Sequence, residues 1–180
     1  MPATTMKTSS DYDRVISQCR DIFIKKTRDY GTAWRVLRVI SIVDQIFIKA
    51  QRIRTIQEKG KQKIADDTRG EFMGIINYAV IGLVQLKLKE DAPEELTAEE
   101  VSVMYDEQVR TAKQLMEDKN HDYGEAWRSM SQESFVDLIL MKLQRIRQIL
   151  LNEGKTEISE GIDANYLDII NYAVFALILL

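Results

Sequence analysis

The chain has 180 residues, of which 45% are hydrophobic and 29% charged, enough for one domain or two small ones and too apolar for a disordered tail. Cys19 and His121 are the sole cysteine and histidine, which excludes an internal disulfide and any cysteine-rich or multi-histidine metal centre. Lys+Arg of 25 against Asp+Glu of 28 leaves a net charge of −3, so direct nucleic-acid binding is not expected and chemistry falls to carboxylates, lysines, arginines and amides.

In chain order, the opening Met1–Ser10 stretch is polar and lacks the apolar run of a secretory signal. Ser10-Asp-Tyr-Asp13 has capping-box spacing and predicts the start of a first helix. That helix runs to Asp29-Tyr30-Gly31, where the glycine can take the left-handed conformation that ends it. A short turn carries Trp34. Ser41-Ile-Val-Asp44 reads as the next cap, opening a second helix that ends near Gly60. A polar loop leads to a third, mostly apolar helix that includes Ile75–Leu86. Glu90–Glu95, with the one internal proline, joins this to a second series of the same kind. There Thr97-Ala-Glu-Glu100, Gly124, Trp127, Ser134-Phe-Val-Asp137 and Gly154 punctuate the helices. The closing run Ile169–Leu180 is apolar but only twelve residues long, against about 20 for a membrane span. It reads as a core helix, with no membrane association, in a cytoplasmic protein.

The recurrence is a true repeat. Shifting the chain by 93 places aligns Lys26–Glu58 with Lys119–Leu151, with identity at 17 of 33 positions. After a one-residue insertion, Ile75-Ile76-Asn77-Tyr78-Ala79-Val80 matches Ile169-Ile170-Asn171-Tyr172-Ala173-Val174. No stretch shows strand alternation with turn signals. The expected architecture is all-α: a helical bundle of two tandem pseudo-twofold repeats, residues 1–90 and 91–180, about three helices each, packed as one globular unit.

The copies differ in charge. Residues 1–90 carry 17 Lys+Arg and 10 Asp+Glu, a balance of +7, while residues 91–180 carry 8 and 18, a balance of −10. Opposite charge helps the halves dock; alternatively, phosphate-binding cations sit mainly in one half and metal-binding carboxylates in the other. The third helix supports division of labour locally. The second copy has Asn165, Asp168, Asn171 and Tyr172 on one face, whereas the first has Glu71 and Gly74 at the first two of these positions. An aspartate in so apolar a helix is costly to bury unless paired or metal-bound. Glu157, Glu160 and Asp163 add acids just upstream; they are metal ligands or solvated residues near a helix N-terminus.

The second helices carry Lys49, Arg52 and Arg54, matched by Lys142, Arg145 and Arg147. Lys142 and Arg145 lie on one face and suit a polyphosphate, or else pair internally with Asp44, Asp137 or the loop acids. Beside the Asp-Tyr-Gly turns, Tyr123 and Trp127 either plug the core or form a wall on which a nucleobase stacks, with Lys119 (and Lys26 in the first copy) as a phosphate contact. His121 reads as a surface residue and Cys19 as a small core residue.

Lys119-Asn-His-Asp-Tyr-Gly-Glu-Ala-Trp127, then Lys142-x-x-Arg145-Ile146, then Glu160 ahead of Leu167-Asp168-x-x-Asn171-Tyr172-Ala173, resembles the nucleotide modification associated domain 1 family. The first copy resembles it too, so the chain looks like a tandem version. The resemblance implies a role in nucleotide metabolism. More remotely, the acids on an α-bundle look like MazG and dimeric dUTPase-type nucleoside triphosphate pyrophosphohydrolases, which hold Mg²⁺ with Glu-x-x-Glu and Glu-x-x-Asp pairs. This chain departs from them: it offers Asn165-x-x-Asp168 and Glu71-x-x-Gly74, and Met141 and Ile48 precede the helix lysines.

The expectation is therefore a Mg²⁺-dependent (deoxy)nucleoside triphosphate pyrophosphohydrolase. Asp168, Glu160 and Lys142 would be catalytic, and Asp168, Glu160 and Glu157 would hold the metal. Lys119, Tyr123, Trp127, Arg145, Asn171 and Tyr172 would bind a small-molecule nucleotide. A composite site joining Glu71 to Asp168 is a variant of this. The alternatives are a non-catalytic nucleotide-binding module, or a structural helical protein whose Asp168 pairs with Arg145. The all-helical relatives implied by resemblance associate, so a homo-oligomer is expected.

Overall fold

The computed structural model describes residues 3–59, 65–157 and 161–180, and all regular structure among them is helical. Helix α1 spans Ala3–Tyr30, α2 Val39–Lys59 and α3 Ala65–Lys87; α4 spans Ala98–Tyr123, α5 Gln132–Leu151 and α6 Ile162–Leu179. A single 3-10 turn, Ala33–Val36 or Ala126–Ser129, separates the first two helices of each repeat. Among the described residues three α-helices thus fall in each half.

The local signals account for several ends. Thr97 caps α4 in a complete capping box: its side chain accepts from Glu100 N at 3.1 Å, and Glu100 accepts from Thr97 N at 2.9 Å. Gly31 and Gly124 follow α1 and α4 at φ values of 64° and 63°, conformations that cost an L side chain a Cβ clash. Three expected caps are displaced. Ser10 lies inside α1, which begins seven residues earlier at Ala3. Ser41 lies inside α2, which begins at Val39. In the second repeat the cap is Ser131, which accepts from Ser134 N at 3.2 Å, rather than Ser134 itself. Of these serines only Ser131 caps a helix; Ser10 and Ser41 have the capping chemistry but lie within longer helices.

The centre of the bundle is built from α2, α3, α5 and α6: α3 packs on α6 and α2, and α5 on α6 and α2. Ile46, Ile53, Phe72, Ile76, Phe135, Ile139, Tyr166 and Ile170, all fully buried, show that both repeats feed one core. At Gly82 a Cβ would come within 2.6 Å of the Tyr166 ring, so glycine is what permits this close approach of α3 to α6. Helix α6 is long and apolar enough to cross a membrane, but 61% of that window is buried inside the bundle.

Pseudo-twofold symmetry is written into reciprocal polar pairs between the repeats. Arg20 of α1 bonds Asp106 of α4 at 2.7 Å, and the equivalent Lys113 of α4 bonds Asp13 of α1 at 2.9 Å. Arg54 of α2 pairs with Asp137 of α5, and Arg147 of α5 with Asp44 of α2 at 3.1 Å. Deeper in, Tyr12 donates to Asn171 at 2.7 Å, and its counterpart Tyr105 donates to Asn77 at 2.8 Å. Each asparagine also donates to the first helix of its own repeat, Asn171 to Ala112 O and Asn77 to Cys19 O, both at 3.0 Å. Arg54 and Arg147 are thus spent on internal pairing. Since these ion pairs draw cations and acids equally from both halves, they do not explain the opposite charge of the halves.

Candidate ligand-binding site

Asp168 sits on α6, 6% exposed. Its Oδ2 accepts from Lys142 Nζ of α5 at 2.8 Å, and its Oδ1 from Lys119 Nζ of α4 at 2.9 Å. The Lys142 side chain is itself only 7% exposed, while that of Lys119 is 51% exposed. A carboxylate between two ammonium groups is a satisfied internal ion cluster.

Among the described residues the expected metal centre does not assemble. Both Asp168 oxygens are taken by cations, and among the described residues no three acidic, histidine or cysteine side chains converge. Glu157 is exposed in the turn after α5, and Glu160 lies outside the described residues. Glu71 pairs with Arg52 at 2.9 Å and Lys49 at 3.8 Å, within its own repeat, so the composite with Asp168 is not formed. The residues present do not fit a Mg²⁺ site at Asp168, because a divalent ion needs oxygens that lysines have already occupied.

The expected binding residues of the second repeat divide similarly. Trp127 is 5% exposed, stacked on Phe175 at 4.2 Å with an interplanar angle of 7°, and the Arg128 guanidinium lies 4.5 Å from its ring centroid. It is a core plug, not an open platform. Asn171 is buried, accepting from Tyr12 of the other repeat and donating to Ala112 O of its own. Tyr172 packs against the core, and Tyr123 and Arg145 are exposed. Lys142, expected to be catalytic, holds Asp168 instead. His121 is exposed, and burial pushes the Cys19 thiol from 9.0 up to about 12, as befits a core residue.

The first repeat uses the same scaffold differently. A cleft of about 590 Å³ opens between α1, α2, α3 and the first 3-10 turn, within the range of small-molecule sites. Its apolar and aromatic wall includes Phe23, Trp34, Tyr78 and Ile81, with Tyr30 at the rim. Lys26, Lys49 and Asn77 supply the polar groups. Among the described residues Lys26 makes no ion pair, and it is exposed. Lys49 Nζ lies 5.8 Å from the Tyr78 ring centroid.

The repeat alignment explains why this copy is open. Lys26 and Lys49 match Lys119 and Lys142, but Gly74 stands where Asp168 stands. Gly70 replaces Ala164, and Ile81 replaces the Phe175 that covers Trp127. Each change removes side-chain volume and so enlarges the cleft. The turn above it is held by the inter-repeat linker: Thr32 donates to Glu94 O at 2.6 Å and accepts from Leu96 N at 3.0 Å. Arg35 donates to Pro93 O at 3.2 Å and Ala92 O at 3.1 Å. The site residues expected from the sequence lie in the second copy; the signal in the sequence for the open first-copy cleft is Gly74 opposite Asp168, with Lys26, Lys49, Trp34 and Tyr78 retained around it.

The fold and this site define an all-helical tandem repeat protein with one open and one internally paired copy of the same cleft. The model of nucleotide modification associated domain 1 matches residues 26–86 and 119–180, one segment in each repeat. The chain belongs to that family. No curated protein and no solved structure matches it.

Proposed function

We propose that this protein is a nucleotide-binding module that takes its ligand in the first-repeat cleft. The observation that carries this reading is a pair of lysines, Lys26 and Lys49, beside an aromatic-lined cleft in which Gly74 replaces the carboxylate that binds the matching lysines. The ammonium groups suit a phosphate group as point charges. Trp34, Tyr30 and Tyr78 offer faces for a base, a contact worth roughly 1–3 kcal/mol where stacking is realised. The excess of +7 in residues 1–90 favours approach of an anion to this half. The family's association with nucleotide modification points to the same ligand class.

Hydrolysis of a phosphate chain is a further step that this geometry does not support, since no acidic cluster among the described residues fits the metal it would use. The test is calorimetric titration with nucleosides and nucleoside mono-, di- and triphosphates, canonical and modified, in Mg²⁺ and in EDTA, with phosphate release followed in parallel. The expected result is metal-independent binding that Lys26→Ala and Lys49→Ala each weaken. Metal-dependent turnover would replace this reading with the hydrolase; absence of binding would end it.

A further inference from the structure

We infer that Asp168 is a built-in occupant of the second repeat's anion site, and that it marks where the ligand's own anionic group lies in the first: between Lys26 and Lys49, over Gly74. The inference rests on the reading that the first cleft takes an anionic ligand, and deepens it by fixing the position, the chemistry and the number of sites.

In the second repeat, one anionic group with two oxygens satisfies two ammonium groups, one on the first helix of the repeat and one on the second. The equivalent ammonium groups are present in the first repeat, and the anion is missing from the chain. Among the described residues no carboxylate of this chain bridges the two lysines as Asp168 does in the second repeat. Glu71 bonds Arg52 at 2.9 Å and reaches Lys49 only at 3.8 Å, and among the described residues Lys26 has no ion pair. Lys49 instead lies across the bare backbone of Gly74, where an added Cβ would be 2.9 Å from its Cε and 3.2 Å from its Nζ. The space that a carboxylate side chain fills in one repeat is therefore partly covered by a flexible lysine in the other, ready to swing onto an incoming anion.

The group that replaces Asp168 is a compact oxyanion, a phosphate monoester, and the rest of the ligand extends toward Trp34 and Tyr30 through the volume that Gly70 and Ile81 leave open. Phe175 and the Asp168 carboxylate fill the corresponding volume in the second repeat. One ligand per chain follows.

Gly74→Asp installs the plug in the first repeat, because the atoms it meets belong to the movable end of Lys49. Asp168→Gly removes it from the second. Both variants and the natural chain are titrated with inorganic phosphate, a nucleoside and the matching nucleoside monophosphate, and melted with and without phosphate. The expected results are one monophosphate site in the natural chain and at least tenfold weaker binding in folded Gly74→Asp. Asp168→Gly should melt lower, and phosphate should restore its melting temperature while leaving the natural chain less affected.

Undiminished binding by Gly74→Asp would overturn the inference while leaving the nucleotide reading intact. So would an Asp168→Gly protein indifferent to phosphate. Conversely, phosphate rescue of Asp168→Gly alongside a natural chain that binds no nucleotide would sustain Asp168 as an anion surrogate and end the nucleotide reading. If Asp168→Gly fails to fold, Gly74→Asp decides alone.

Discussion

Tyr12 and Asn171 are 159 residues apart in sequence, yet the tyrosine hydroxyl donates to the asparagine carbonyl at 2.7 Å in the buried interior. The same asparagine donates to Ala112 O, so one amide ties α1, α4 and α6 together. A buried amide with both ends used is stabilising, whereas removing it strands a hydroxyl. Asn171→Ala is expected to lower stability by about 1–3 kcal/mol, read as a shift in the urea midpoint with an unchanged slope. Its counterpart Asn77→Ala should cost less, because the Tyr105–Asn77 bond is only partly buried.

The Asp168 cluster makes an asymmetric prediction. Asp168→Asn removes the anion from a buried Lys142 and should cost about 3–5 kcal/mol. Lys119→Met removes a cation whose side chain is 51% exposed and should cost about 0–1 kcal/mol. Equal losses in chemical denaturation would contradict the view that Lys142 is the principal partner.

The two tryptophans occupy matching positions with different duties. Trp127→Ala should destabilise by about 3–5 kcal/mol, since it empties a core position stacked on Phe175. Trp34→Ala, in a half-buried cleft wall, should cost less stability and more ligand affinity. Denaturation and titration of the same two variants check both halves.

Cys19 gives a pH prediction. Burial raises the folded-state thiol from 9.0 to about 12, so between these values the unfolded chain loses a proton that the folded chain keeps. This contribution is fully present below pH 9 and is lost as pH rises toward 12. Burial pushes the Tyr12, Tyr105 and Tyr166 hydroxyls up as well, adding to the loss at the alkaline end. Denaturation midpoints measured above neutral pH should fall with this sign, and the folded protein should resist thiol reagents at pH 8. Cys19→Ala should flatten the early part of the fall.

The reciprocal ion pairs on the surface should matter little one at a time. Asp106→Asn, which breaks the bidentate contact from Arg20, should cost about 0.2–1 kcal/mol and less at high salt. Thermal melts in low and high salt would reveal this.

Asp168 shows how far composition carries and where it stops. An aspartate in an apolar helix has to be paired, and the chain's chemistry says as much; which cation pairs with it depends on the rotation of α5. Lys142 and Arg145 are three residues apart and both charged, so helical periodicity alone does not say which turns inward. Packing of Ile139, Leu143 and Ile146 against the core turns Lys142 in and leaves Arg145 exposed. The caps behave alike: Thr97 is legible because its complete box stands where the inter-repeat linker meets α4, whereas Ser10 has box spacing but lies within a longer helix.

The sequence by itself determined the repeat, the all-helical architecture, the glycine turns and the buried character of Asp168 and Cys19, because these follow from periodicity, chirality and the cost of burying charge. Only the tertiary structure decided which copy is open. Gly74 and Ile81 on one helix, and Asp168 and Phe175 on its counterpart, act on space bounded by other helices. Volume becomes a cleft or a plug only when those helices are brought together.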